Sequence, residues 1–168
     1  GIHAGEPDGI DATMMLMRDL AMGKIKTAKN TFIAAIPVYS VGGMLNRNSH
    51  SRANQNGPEE YGFRGNARNY DLNRDFIKSD TKNSRSFQKL FTELNPDIFL
   101  DNHVSNGADY QYTFTCIATQ HERLGNKLGN YFINELYPSV VKDMNKKKID
   151  VVPYVNVHST TPDKGFEQ

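Results

Sequence analysis

Hydrophobic and polar positions along this chain alternate between two periods. Ile10, Met14, Met17, Leu20 and Ala21 recur at helical spacing, which predicts a helix over residues 6–22 with Gly23 as its stop. The run TFIAAIPV at residues 31–38 is β-branched and nearly continuous in apolar character, the pattern of a strand buried on both faces. A long polar stretch follows at residues 40–74, rich in Asn, Arg, Ser and Gly, and a loop of that length is usually functional or disordered. Phe87, Leu90, Phe91 and Leu94 give residues 83–94 one apolar helical face. The turn Asn95-Pro96-Asp97 then leads into a short strand over 98–101, and YQYTFTCIA at 110–118 predicts another. Residues 123–144 read as a long amphipathic helix that Pro138 should kink or divide, and 151–157 as a last strand.

Strands alternating with helices predict an α/β fold, with a central sheet flanked by helices on both faces. No repeat, low-complexity tract or linker interrupts residues 1–168, so a single domain is expected. Composition narrows the function classes. Twenty basic against nineteen acidic side chains give no electrostatic footprint for nucleic acid. The longest apolar runs are too short to cross a bilayer. Cys116 has no partner for an intrachain disulfide, and its alternating setting predicts a buried thiol. The Lys146-Lys147-Lys148 cluster fits a solvated helix end, where cations meet the dipole favourably.

Four constellations carry chemistry. In GIHAGEPDG, His3 and Glu6 stand three residues apart, a spacing that lets both turn towards one metal. Read alone, they are a surface histidine and a helix-start glutamate. His103 directly follows an apolar strand and precedes a polar loop, where open α/β sheets gather active-site residues. It could supply the third protein ligand that a catalytic zinc requires, or be structural. In Asp71-Leu72-Asn73-Arg74, Asn73 and Arg74 can grip a carboxylate, and Asp71 can hold the outer ring nitrogen of a metal-bound histidine. The bland reading is a polar loop with a salt bridge. Upstream in the same loop, Arg52 could face an oxygen that becomes negative when a carbonyl is attacked. Arg64 is the second candidate for that role, and Arg47 and Arg68 could equally brace the loop.

Taken in order, H-x-x-E, R-x-N-x-x-G, D-L-N-R and a strand-ending His resemble the zinc carboxypeptidases of the A and B type, over residues 1–112. The resemblance implies a mixed, mainly parallel sheet flanked by helices. It implies one zinc per chain held by His3, Glu6 and His103, with Asp71 supporting His3. Asn73 and Arg74 would hold the free C-terminal carboxylate of a peptide substrate, and Arg52 would be the oxyanion arginine. Family members are often exported, so a secreted or periplasmic location is expected. Three departures bear on the substrate. Val41-Gly42-Gly43 replaces the family's Asn-Pro-Asp-Gly, Asp75 adds a negative charge after Arg74 where Asn is common, and residues 104–109 differ from the digestive enzymes.

No convincing match to the family's general-base Glu or capping Tyr stands before Gln168, and Gly1 enters directly at the first metal motif. The expectation is therefore a partial catalytic domain, cut at both ends, that binds zinc without turning over and tends to associate through uncovered sheet edges. Two other functions fit parts of the pattern. Zinc deacylases of the aspartoacylase and succinylglutamate desuccinylase type share H-x-x-E, a later His and an Asn-Arg pair. A non-catalytic carboxylate-binding module would keep the clamp and lose hydrolysis. Oligomeric state and side-chain preference are not legible.

Overall fold

The first helix, α1 (Asp8–Ala21), begins with Asp8 and Asp11 in its first turn and ends with Arg18 in its last, so charge matches the helix dipole at both ends. Gly23, at φ +69°, takes the left-handed conformation that stops it, as the sequence predicts. The fold is known from a computed structural model, which describes residues 1–52, 55 and 57–167. These fall into two compact units, Gly1–Asn106 and Gly107–Gln168.

In the first unit, α1 is followed by the short helix α2 (Val41–Leu45), a 3-10 turn (Leu72–Arg74) and α3 (Lys82–Leu94). Thr81 caps α3 by accepting the Ser84 amide at 3.1 Å, and Asn95 closes it in the left-handed conformation that asparagine tolerates. The long polar stretch between α2 and the 3-10 turn is tied down by backbone pairing. Asn48 and Tyr61 exchange both amide bonds at 2.9 and 2.8 Å, and Phe63 N–H reaches the Gly43 carbonyl. The buried core holds Ile2, Ala4, Ile10 and Leu72, and a half-buried to exposed cluster of rings forms separately, in which Phe87 contacts Tyr39, Phe76, Phe91 and Phe99. Ring contacts at these centroid distances, 5.4–5.7 Å, add to the burial of area.

The second unit contains every regular strand among the described residues. β1 (Phe114–Cys116) pairs in parallel with β2 (Val151–Pro153), with Phe114 opposite Val151. Parallel strands need a long crossover, and here it is helical: a 3-10 turn (His121–Leu124), α4 (Gly125–Tyr131), a π turn (Phe132–Leu136) and α5 (Tyr137–Lys146). The predicted division at Pro138 takes the form of that π turn. Proline lacks an N–H and its ring crowds the carbonyl four residues back, and the wider turn relieves both. β3 (Asn156–Val157) and β4 (Phe166–Glu167) form a separate antiparallel pair. Lys146, Lys147 and Lys148 are all exposed where α5 ends, as expected for a solvated helix end. Cys116 is half-buried against the Tyr137 hydroxyl at 3.6 Å, less enclosed than predicted.

The chain is thus a mixture of helices and short strands with a small parallel sheet. A central sheet flanked by helices on both faces is not formed among the described residues. Segments 31–38 and 98–101, predicted as strands, carry no ladder, and Phe32 and Leu100 are 81% and 79% exposed. A strand exists by pairing its backbone with a neighbour, so apolar character alone does not make one. No described helix is long and apolar enough to cross a membrane.

Candidate metal centre

His3, Ala4 and Gly5 form a tight turn in which the Glu6 amide donates to the His3 carbonyl at 3.0 Å. That closure turns a three-residue separation into a side-chain contact: His3 Nδ1 lies 2.9 Å from Glu6 Oε1. His103 comes from the far end of the same unit, and its Nδ1 lies 2.9 Å from the other oxygen, Oε2, of Glu6. The Val104 amide donates to that oxygen at 3.2 Å. The two imidazoles stand edge to face, with centroids 5.2 Å apart. One ligand atom from each of His3, Glu6 and His103 lies within 4.8 Å of the others.

Both histidines are held from behind by carboxylates. His3 Nε2 is 3.1 Å from Asp71 Oδ1, and His103 Nε2 is 3.1 Å from Asp101 Oδ2. Asp71 is itself fixed: Arg64 donates to Oδ2 through Nε and Nη2 at 2.9 and 2.8 Å, and the Asn73 amide donates to Oδ1 at 2.9 Å. Arg64 is therefore engaged with Asp71, whereas Arg52 enters the centre. Its Nη2 donates to Glu6 Oε1 at 3.0 Å, and its buried Nε finds no acceptor among the described residues. Gly5 makes this approach possible. A Cβ on Gly5 would stand 2.7 Å from both Arg52 Cγ and the Gly62 carbonyl oxygen.

These contacts move the ionisation of the group. Burial raises the Glu6 pKa, but hydrogen bonds from His103, His3 and the Val104 amide outweigh it and hold the carboxyl well below the usual range. Hydrogen bonds to Asp101 and Glu6 push His103 up to about 9 against the effect of burial. Asp71 is buried enough to be raised, yet His3 and Arg64 hold it low.

The donor set suits a zinc ion. Two imidazole nitrogens and a carboxylate face inward, their outer nitrogens are braced by carboxylates, and each ring has an acceptor on both sides, as a metal replacing the inner proton would require. The residues expected to form a carboxylate clamp are placed less tightly. Asn73 and Arg74 lie on the 3-10 turn directly after Asp71, and Arg74 is exposed with Nη1 on the Asn73 carbonyl at 3.0 Å. Asp75, the next residue in sequence, is engaged with the start of α3. It is buried and accepts from the Thr81 amide and hydroxyl and the Asp80 amide.

Asp101 is the residue of this centre that the sequence reading passed over. Its signal was the D-x-H spacing, since residues two apart in an extended segment share a side.

No family model matches the chain, and no solved structure does. Two curated fungal proteins are similar to it: "Probable carboxypeptidase 2" of Arthroderma benhamiae, 30% identical over 106 residues, and "Carboxypeptidase 2" of Trichophyton rubrum, 29% identical over the same length. The alignments cover 61% of this chain and 17% of each relative, so the chain spans about a sixth of the proteins it matches. The likeness is distant, and it is to proteins named as carboxypeptidases.

Proposed function

We propose that residues 1–106 carry the metal and substrate centre of a zinc-dependent carboxypeptidase, with His3, Glu6 and His103 as the zinc ligands. The observation that carries this reading is the inward convergence of His3 Nδ1, His103 Nδ1 and the two Glu6 oxygens around one point. The names of the two fungal relatives support the reaction class. Zinc supplies Lewis acidity in such a site, polarising a carbonyl and making water acidic enough to react near pH 7. The chain's own residues supply the rest. Asp71 and Asp101 hold the imidazoles in register, and Arg52 offers a fixed positive charge to an oxygen that turns negative. Asn73 and Arg74 bind the C-terminal carboxylate, the guanidinium through its planar fork of donors. Recognition of a free terminus makes the activity that of an exopeptidase.

The test is zinc stoichiometry followed by peptide binding. One zinc per chain, lost in His103→Ala, is expected. The zinc-loaded protein should then bind a short peptide acid well and the matching C-terminal amide poorly. Equal zinc in wild type and His103→Ala would remove the ligand assignment. Equal binding of acid and amide would remove carboxylate recognition, and preference for an N-acyl amino acid over the peptide acid would move the reaction to the deacylases.

A further inference from the structure

The two histidines of the centre are braced by carboxylates of different kinds. Asp71 shares its charge with the Arg64 guanidinium and the Asn73 amide, so its hold on His3 is that of a neutralised group. Asp101 has no Lys or Arg ion pair among the described residues, and its carboxylate is spent on His103 Nε2 at 3.1 Å. The surroundings also differ. His3 is 4% exposed, locked between Glu6 and Asp71. The His103 side chain is 29% exposed, on a segment with no regular structure. A ring so placed can rotate about χ2 and present either nitrogen, unless something grips its far side. The Val104 amide fixes the backbone after it by donating to Glu6, but it does not touch the ring. The grip on the ring's outer edge is Asp101.

We propose that Asp101 is a positioning residue for the metal centre: it fixes His103 with Nδ1 facing Glu6, and so sets the affinity of the site through the most solvent-open of its three ligands. The inference rests on the zinc reading above and adds to it a residue that the motif pattern does not contain. Orientation and charge make separate contributions. Asparagine at 101 retains an oxygen that can accept the Nε2 proton, preserving orientation while removing charge. Alanine removes both.

The experiment measures zinc affinity of the full 168-residue chain by competition with a chromophoric chelator, for wild type, Asp101→Ala, Asp101→Asn and His103→Ala. Nitrogen-15 spectra of the zinc-loaded histidine rings accompany it. Asp101→Ala should bind zinc about 10- to 100-fold more weakly, the range seen for loss of such outer partners. The His103 Nε2 proton should lose its slow exchange in the same variant. Asp101→Asn should lose only a few-fold and keep that proton, whereas a further variant, Asp101→Leu, of similar size but without an acceptor, should lose as much as alanine, a split that a merely space-filling role would not give. The leucine variant decides the matter should alanine disturb the fold: affinity indistinguishable from wild type together with an unchanged ring spectrum in it overturns the inference. Wild-type affinity in a folded Asp101→Ala overturns it as well. Absence of zinc binding in the wild type removes the zinc reading and this inference together, so the two failures are told apart by the first measurement.

Discussion

Arg52 Nη2 donates to Glu6 Oε1 at 3.0 Å, and both side chains are almost fully enclosed. A permanent cation thus sits on the carboxylate that would bind a metal cation. Two positive charges that close repel strongly in a low-dielectric setting, so occupancy of the centre and this ion pair oppose one another.

Arg52→Met should therefore bind zinc more tightly than wild type, by roughly tenfold, an order of magnitude set by a unit charge a few ångströms away. The zinc-free protein should lose stability, because Glu6 keeps its imidazole partners but loses its guanidinium. Chelator competition and thermal unfolding without metal measure the two effects. Weaker zinc binding in Arg52→Met would show that Arg52 supports the ligand instead of competing with the ion.

The legible parts of this protein were the local ones. H-x-x-E announces a turn that brings His3 to Glu6, and the helices near residues 8–21 and 82–94 follow from spacing and caps. The Asp71–His3 contact was legible as chemistry, since an aspartate beside a carboxylate clamp is a candidate brace. The sheet was not. Segments 31–38 and 98–101 are apolar enough to be buried strands, but pairing is decided by partners remote in sequence, which composition does not report. Arg52 stood first and Arg64 second as candidates, but what lets Arg52 approach Glu6 was not visible in the sequence. Both lie in one polar loop, and the absence of a side chain on Gly5 is what gives Arg52 its room.

Gly5→Ala tests that last point. Its new methyl would stand 2.7 Å from the Gly62 carbonyl oxygen and from Arg52 Cγ, and the carbonyl belongs to backbone that cannot simply rotate away. The expected cost is about 1–3 kcal/mol of stability, the usual penalty for inserting a methyl into a filled site. Zinc binding should change too, because Arg52 is displaced from Glu6. Wild-type unfolding and wild-type zinc affinity in Gly5→Ala would mean that the loop carrying Arg52 is free to move.

Arg74 should matter to the substrate and not to the metal. It is exposed in the structure and its guanidinium rests on the Asn73 carbonyl, a contact easily exchanged for a ligand carboxylate. Arg74→Met should leave zinc affinity unchanged and weaken binding of a peptide acid by about 1.5–3 kcal/mol, the usual worth of hydrogen bonds to a charged group. Arg74→Lys should recover part of this, since an ammonium lacks the two-point planar contact. Titration calorimetry with acid and amide peptides gives both numbers. An Arg74→Met protein that still prefers the acid would place the clamp elsewhere.

Asp75 is one of the carboxylates through which the first unit responds to acid. Burial raises its pKa, but hydrogen bonds from the Ser84 and Thr81 side chains and the Thr81 and Asp80 amides win, and the carboxyl is held well below the ordinary carboxylate value. The unfolded chain binds that proton near pH 4, whereas the folded one resists it to lower pH. The stabilisation is therefore fully present above about pH 5 and is lost as pH falls through the unfolded value towards the folded one. Asp75→Ala removes it and strands the buried Thr81 amide at the start of α3, which should cost about 1–3 kcal/mol at neutral pH. The difference in stability between wild type and Asp75→Ala should shrink steadily between pH 5 and the lowest pH at which wild type still folds. Urea unfolding across that range measures it. A difference that stays constant with pH would mean that the carboxylate's charge contributes nothing and that Asp75 serves only as a neutral acceptor.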